Sequence, residues 1–114
     1  MHMNNPKLFM LMLGCKPAGH HTEQHDVMFT IAEDIIGTET DVRTFAQKVW
    51  PGTIEIHIDA WREVTLVDGF RITVVPRLEF KDPKEGKLFF LNLGGYKKAV
   101  FDEFHYKMIV VAEN

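Results

Sequence analysis

Histidine and carboxylate side chains stand close together in two segments of this 114-residue chain. The first segment holds Glu23, His25 and Asp26, and the second holds His57 and Asp59. Imidazole and carboxylate groups together suit divalent ions such as zinc, iron, nickel or manganese. If the fold brings the two segments together, we expect a divalent metal at His25, His57 and Asp59, or a proton shared within this cluster. The spacing matches no established motif, so it assigns no catalytic residue.

The loop of residues 14–21, GCKPAGHH, is a second candidate site. A glycine-bounded loop between a strand and a helix presents backbone amides to an anion. His20 and His21 stand where a nucleotide-binding loop has Lys followed by Ser or Thr, which argues against a bound nucleotide. A looser anion site remains, with six candidate residues: Gly14, Lys16, Gly19, His20, His21 and Thr22.

A repeated segment must position these residues. Residues 7–34 return at residues 87–114 with 11 of 28 positions identical, whereas ordinary residue frequencies give about two. The sequence therefore predicts a complete repeat unit over 7–80 and a partial one over 87–114, within a single compact domain over 1–114. The identical pairs include Gly14/Gly94, Glu23/Glu103 and His25/His105.

Each copy is predicted to form a strand, a polar loop and a helix. The apolar run Leu8–Leu13 is typical of a buried strand, and Thr22 and Glu23 suit the start of a helix. Apolar residues spaced as on a helix then extend that helix over about 23–36. Residues two apart on a helix point about 200° away from each other. Glu23 and His25 would therefore diverge, and their alternative role is to cap the helix.

The remaining segments predict one more helix and three more strands. The helix begins near Thr38 or Thr40, with Thr38 and Asp41 as a capping box, and ends before Pro51. A half-exposed strand follows over 53–59, with Glu55, His57 and Asp59 on its polar face, for which the alternative interpretation is ordinary solvation. The sequence Asp68-Gly69 between two alternating runs predicts a type I′ hairpin. The fold class is therefore α/β (α+β), a mixed β-sheet with helices packed on it.

Composition excludes several classes of protein. The net charge of −3 gives no basic face for nucleic acid, and no apolar run has the length of a membrane span. The single cysteine, Cys15, excludes an intramolecular disulfide and fits a reducing cytoplasm. Cys15 lies near histidines, which would activate a thiol, but the second copy has Gly95 there, so a small buried residue is the better interpretation.

Three short motifs carry a resemblance to a known family. They are Leu13-Gly14, residues 22–26 (TEQHD) and residues 57–61 (HIDAW). With them, most of residues 7–76 resembles a small bacterial family of uncharacterised proteins, a domain of unknown function present in one or two copies. The resemblance implies a cytoplasmic bacterial protein, and it implies no reaction, cofactor or substrate.

The sequence leads to two hypotheses about function. The first is a non-enzymatic binding or protein-interaction module that forms a homodimer or binds a protein partner, because half a repeat unit leaves a sheet edge uncovered. The second is a metal-dependent enzyme or metal-binding protein that uses the histidine and carboxylate groups of residues 20–26 and 55–59. A divalent metal is the cofactor that these residues indicate. Enzymatic activity itself is left undecided.

Overall fold

The computed structural model of the chain describes residues 3–79 and 86–113, and these divide into two compact units. The N-terminal unit comprises Met1–Thr65 and Thr73–Val75, and the C-terminal unit comprises Leu66–Ile72 and Pro76–Asn114. The polar segment between the repeat units, residues 81–86, lies outside the described residues except for Gly86. A single compact domain over 1–114 stays a prediction.

The N-terminal unit is a three-stranded antiparallel sheet with one helix. Its elements are β1 (Lys7–Cys15), β2 (Gln24–Ala32), a 3₁₀ turn (Ile36–Thr38), α1 (Glu39–Val49) and β3 (His57–Glu63). The strand order is β2-β1-β3, so β1 is central. Alternate residues of β1 are buried, among them Phe9, Leu11 and Leu13, and they share a core cluster with Val42 of α1. The helix therefore covers one face of the sheet.

The predicted helix over 23–36 is wrong, because residues 24–32 form strand β2. Met28, Thr30 and Ala32 are buried, which is the period of two that a strand requires. Val27, Phe29 and Ile31 alternate with them, so apolar residues occupy both faces and mimic a helical stripe. Nine cross-strand pairs with β1 give this segment its backbone partners, and that tertiary pairing decides its conformation.

The helix predicted after Thr38 is confirmed as α1, and its Val42 and Ala46 are buried. The predicted capping box is not formed. The Thr38 hydroxyl donates instead to the backbone carbonyl of Ile35 at 2.6 Å, and Asp41 accepts a hydrogen bond from the Thr30 hydroxyl of β2. Asp41 therefore connects the helix to the sheet.

The strand predicted over 53–59 begins later and runs further, as β3 over His57–Glu63. A strand begins and ends where its backbone finds hydrogen-bonding partners, and β1 pairs with β3 from Phe9 to Gly14. Ile56 still packs against the core cluster, whereas Ile54 is 95% exposed.

The C-terminal unit contains two antiparallel hairpins. They are β4 (Leu66–Val67) with β5 (Phe70–Arg71), and β6 (Lys87–Gly95) with β7 (Phe104–Ala112). Positive φ angles at Asp68 (51°) and Gly69 (82°) confirm the predicted type I′ turn. The helix predicted in the second copy is wrong, since those residues form β7. The bounds of β6 and β7 lie 80 residues after those of β1 and β2.

The described residues thus form an α and β protein that is mostly β, with seven strands in three small sheets and one α-helix. Every strand pair among them is antiparallel, so the predicted mixture of parallel and antiparallel strands is not seen in residues 3–79 and 86–113. Within the same residues, no helix combines the length and the apolar character needed to cross a membrane.

Candidate metal-binding site

Strand β2 places Glu23 and His25 on one side of the sheet. Glu23 directly precedes the first residue of β2, and His25 is the second residue of that strand. Residues two apart in an extended chain point to the same face. The strand therefore brings together two side chains that a helix would have separated. In a strand, the Glu-x-His spacing allows both residues to bind the same ion.

Asp59 reaches the same place through a β-bulge in β3. Consecutive residues of β1, Met12 and Leu13, pair with Ala60 and Ile58, which leaves Asp59 as the extra residue of the bulge. A bulge interrupts the alternation of a strand and re-aims the side chains at that point. The Asp59 carboxylate consequently lies over the end of β1, next to the His25 ring.

Gly14 provides the space in which these side chains meet. It pairs with His25 of β2 on one side and with His57 of β3 on the other. A Cβ atom at position 14 would lie 2.4 Å from Asp59 Oδ2 and 3.0 Å from His25 Cδ2. The backbone of Gly14 has no positive φ, so this position requires glycine for its missing side chain and not for its backbone conformation.

The three ligand groups converge closely. His25 Nε2 lies 2.9 Å from Asp59 Oδ2 and 3.8 Å from Glu23 Oε2. One ligand atom from each residue falls within 4.8 Å of the other two. Tetrahedral zinc with bonds of about 2.1 Å separates its ligand atoms by about 3.4 Å. The observed spacing brackets that value, so small side-chain movements would complete a metal coordination sphere.

The site is open to solvent and acidic. The side chains of Glu23, His25 and Asp59 are 47%, 42% and 35% exposed. An exposed pair of this kind contributes little to stability, about 0–1 kcal/mol. Glu23 and Asp59 place two carboxylates beside one imidazole, which is a set of donor groups that a divalent cation can bind. The arrangement therefore suits a cation better than it suits a structural ion pair.

Two residues of the predicted cluster lie outside this group. Asp26 pairs with Leu13 and so lies on the other face of the sheet from His25, and its carboxylate accepts a hydrogen bond from the Val27 amide. His57 pairs with Gly14, but it is not among the three converging ligands. Among the described residues, the converging group therefore contains Glu23 in addition to two of the three predicted ligands, His25 and Asp59.

A polar cleft adjoins the converging ligands. It has a volume of about 440 Å³, and its walls include Glu23, Lys16, Thr53, Glu55 and His57. Because Glu23 belongs both to this cleft and to the converging ligands, a small polar molecule in the cleft would lie next to a bound ion. His57 and Lys16 therefore belong to the surroundings of the site.

The anion site predicted for the loop after β1 loses the element on which it depended. That prediction used the amide groups of a helix N-terminus, and the loop leads into strand β2. Gly19 adopts a positive φ of 85°, which marks a tight turn in the loop. His20, His21 and Thr22 are exposed, and Lys16 turns out to line the polar cleft.

Cys15 is expected to be unreactive in the folded protein. It is fully buried at the end of β1, and burial raises the pKa of its thiol, with the Glu23 carboxylate adding to the rise. Since the thiolate is the reactive form, a disulfide reagent should label the native protein at least about tenfold more slowly than the urea-unfolded protein. Equal rates in the two states would contradict this prediction.

Comparison with known proteins finds a family model that matches part of the chain. Residues 20–74 match the family model described as Domain of Unknown Function (DUF1543). This segment is similar to DUF1543. It contains Glu23, His25 and Asp59, so all three converging ligands lie inside the DUF1543 match, together with α1 and β3. The function of DUF1543 is unknown. No curated protein and no solved structure matches the chain.

Proposed function

We propose that the N-terminal unit binds a divalent transition-metal ion through Glu23, His25 and Asp59. The observation that carries this proposal is their convergence, with one nitrogen and two oxygen ligand atoms within 4.8 Å of one another. One imidazole and two carboxylates favour zinc, manganese, iron or nickel over a soft, thiolate-seeking ion. Three protein ligands leave at least one coordination position for water or substrate, as in catalytic metal sites.

The local fold supports this proposal because two uncommon features bring the side chains of His25 and Asp59 together. The bulge in β3 directs Asp59 towards His25, and the absence of a side chain at Gly14 leaves room for both. Bulges are frequent beside functional sites, where they re-aim a side chain. Neither feature improves the packing of the core, which lies on the face covered by α1.

The surroundings support a site at which ligands exchange. Half-exposed ligands allow solvent to reach the ion, and the cleft beside Glu23 has room for a small polar molecule. We also propose that the protein works in a reducing cytoplasm, because the chain's one cysteine is free and buried. The predicted homodimer and the predicted protein partner stay predictions.

Metal content tests the proposal. Protein purified without a metal-affinity column or chelator is expected to hold about one tightly bound transition-metal ion per chain by elemental analysis. His25→Ala removes the nitrogen ligand, so the affinity should fall by at least about a hundredfold, because even changes to groups that only support a ligand cost 10- to 100-fold. A bound metal should also raise the melting temperature of the wild type, because it binds only the folded state.

Two variants make the test specific. His20→Ala removes an exposed loop histidine that is not among the converging ligands, so it should leave metal content and affinity unchanged. Asp59→Asn keeps the shape of the side chain and removes its charge, so it should weaken binding as His25→Ala does. The proposal fails if the metal-free wild type binds neither Zn²⁺ nor Mn²⁺, or if His25→Ala binds as tightly as the wild type.

A further inference from the structure

The β6–β7 hairpin, called the second hairpin below, repeats the β1–β2 hairpin, called the first, at the residues proposed to bind the ion. His105 pairs with Gly94 in β6–β7, as His25 pairs with Gly14 in β1–β2. Glu103 directly precedes β7, as Glu23 directly precedes β2. His105 Nε2 contacts Glu103 Oε2, so this glutamate–histidine pair is already formed. The C-terminal unit therefore presents an imidazole and a carboxylate over a glycine.

The third group differs between the two hairpins. Asp59 comes from β3, which pairs with β1. In the sheet of the C-terminal unit, as far as it is described, β6 pairs only with β7, so no third strand supplies a second carboxylate there. The Tyr96 side chain, which is 85% exposed, lies close to the Glu103 carboxylate instead. A phenol oxygen thus stands beside the glutamate–histidine pair, where the first hairpin has Lys16 in the corresponding sequence position.

The second pair is open to solvent. The Glu103 carboxylate lies over Gly94, where an added Cβ atom would meet it at 3.4 Å. The side chains of His105 and Glu103 are 40% and 35% exposed, so an ion in solution can reach them.

We propose that Glu103 and His105, with the Tyr96 hydroxyl beside them, form a second divalent-metal site in this chain. The inference rests on the metal-binding function proposed for the first hairpin. The second site has one carboxylate where the first has two. We expect its affinity to be at least about tenfold lower, in line with the cost of losing a group that supports a metal.

Calorimetric titration of the metal-free full-length chain with Zn²⁺ tests the inference. Two equivalents should bind in two phases, a tight one and a weaker one. His25→Ala should remove only the tight phase, and His105→Ala only the weaker phase. Tyr96→Phe should weaken the second phase and leave the first unchanged. Circular dichroism of each variant should match that of the wild type, which separates a lost ligand from a lost fold.

A double variant, His20→Ala with His21→Ala, controls for adventitious binding to the loop histidines and should keep both phases. The two proposals fail separately. A single phase that His25→Ala removes and His105→Ala leaves intact would overturn the second site, and Glu103 and His105 would then be a hydrogen-bonded pair only. A single phase that His105→Ala removes and His25→Ala leaves intact would overturn the first site as proposed and support the second. No binding by the wild type would overturn both.

Discussion

Gly14→Ala is expected to lower the affinity of the N-terminal unit for a divalent metal by about 10- to 100-fold, the range typical of changes just outside the ligands. The new methyl group would lie 2.4 Å from Asp59 Oδ2, closer than such atoms approach in folded proteins, and 3.0 Å from His25 Cδ2, which is a tight contact. Asp59 would have to rotate away from His25. The site would then lose the convergence on which the proposed function depends.

The same change should cost little stability. The nearest atom is the end of the Asp59 side chain, which can move outwards because it is partly exposed. Alanine also restricts the unfolded chain more than glycine does, which is worth about 0.4–1 kcal/mol in favour of the folded state. A metal titration and a urea unfolding curve on the same sample should therefore show weak binding by a protein that is still folded.

Gly94→Ala is the matched control, 80 residues later in the chain. A Cβ atom there would meet Glu103 at 3.4 Å, an ordinary contact distance. This variant should therefore leave the tight metal phase unchanged. If Gly14→Ala binds metal as tightly as the wild type does, Asp59 takes no part in binding the ion, and the three-ligand site is wrong.

Leu13→Ala is expected to destabilise the N-terminal unit by about 2–5 kcal/mol, the usual cost of truncating a fully buried leucine. Leu13 has no exposed surface and lies in the core cluster between the sheet and α1. Because both tryptophans, Trp50 and Trp61, belong to this unit, tryptophan fluorescence in urea follows its unfolding. The midpoint of that transition should move to clearly lower urea concentration.

Leu93→Ala makes the same chemical change at the corresponding position of the second hairpin. Leu93 is 51% exposed, so its truncation should cost less than about 1 kcal/mol and should leave the tryptophan transition of the N-terminal unit where it is. Equal shifts of the urea midpoint in the two variants would contradict the prediction that Leu13, unlike Leu93, packs in a core.

The chemistry of the candidate site was more predictable than the elements that carry it. The sequence alone indicated a histidine and carboxylate cluster and named the residues that converge in the structure, Glu23, His25 and Asp59, together with Asp26 and His57. It placed the first of them on a helix, where Glu23 and His25 diverge. In the structure they flank Gln24 at the start of β2, and the period of two aligns them.

Local signals fixed some elements because their physical cause is local. Asp68-Gly69 adopts the positive φ angles of a type I′ turn, since these two residues tolerate that backbone conformation wherever they stand. Helix α1 follows from a stripe of apolar residues on one face and from the break after it at Pro51-Gly52. Neither prediction needed to know what packs against the element.

The sequence by itself determined the apolar first strand, the hairpin turn, a helix that begins near Thr38 or Thr40 and ends before Pro51, and the identity of the side chains able to bind a metal. Only the tertiary structure decided that residues 24–32 form a strand, because an apolar segment on both faces takes its conformation from its backbone partners, and β1 supplies nine of them. Tertiary structure also decided the register shift that turns Asp59 towards His25 and the closeness of both to Gly14. A bulge depends on how two strands distant in sequence align, and no local preference encodes that alignment.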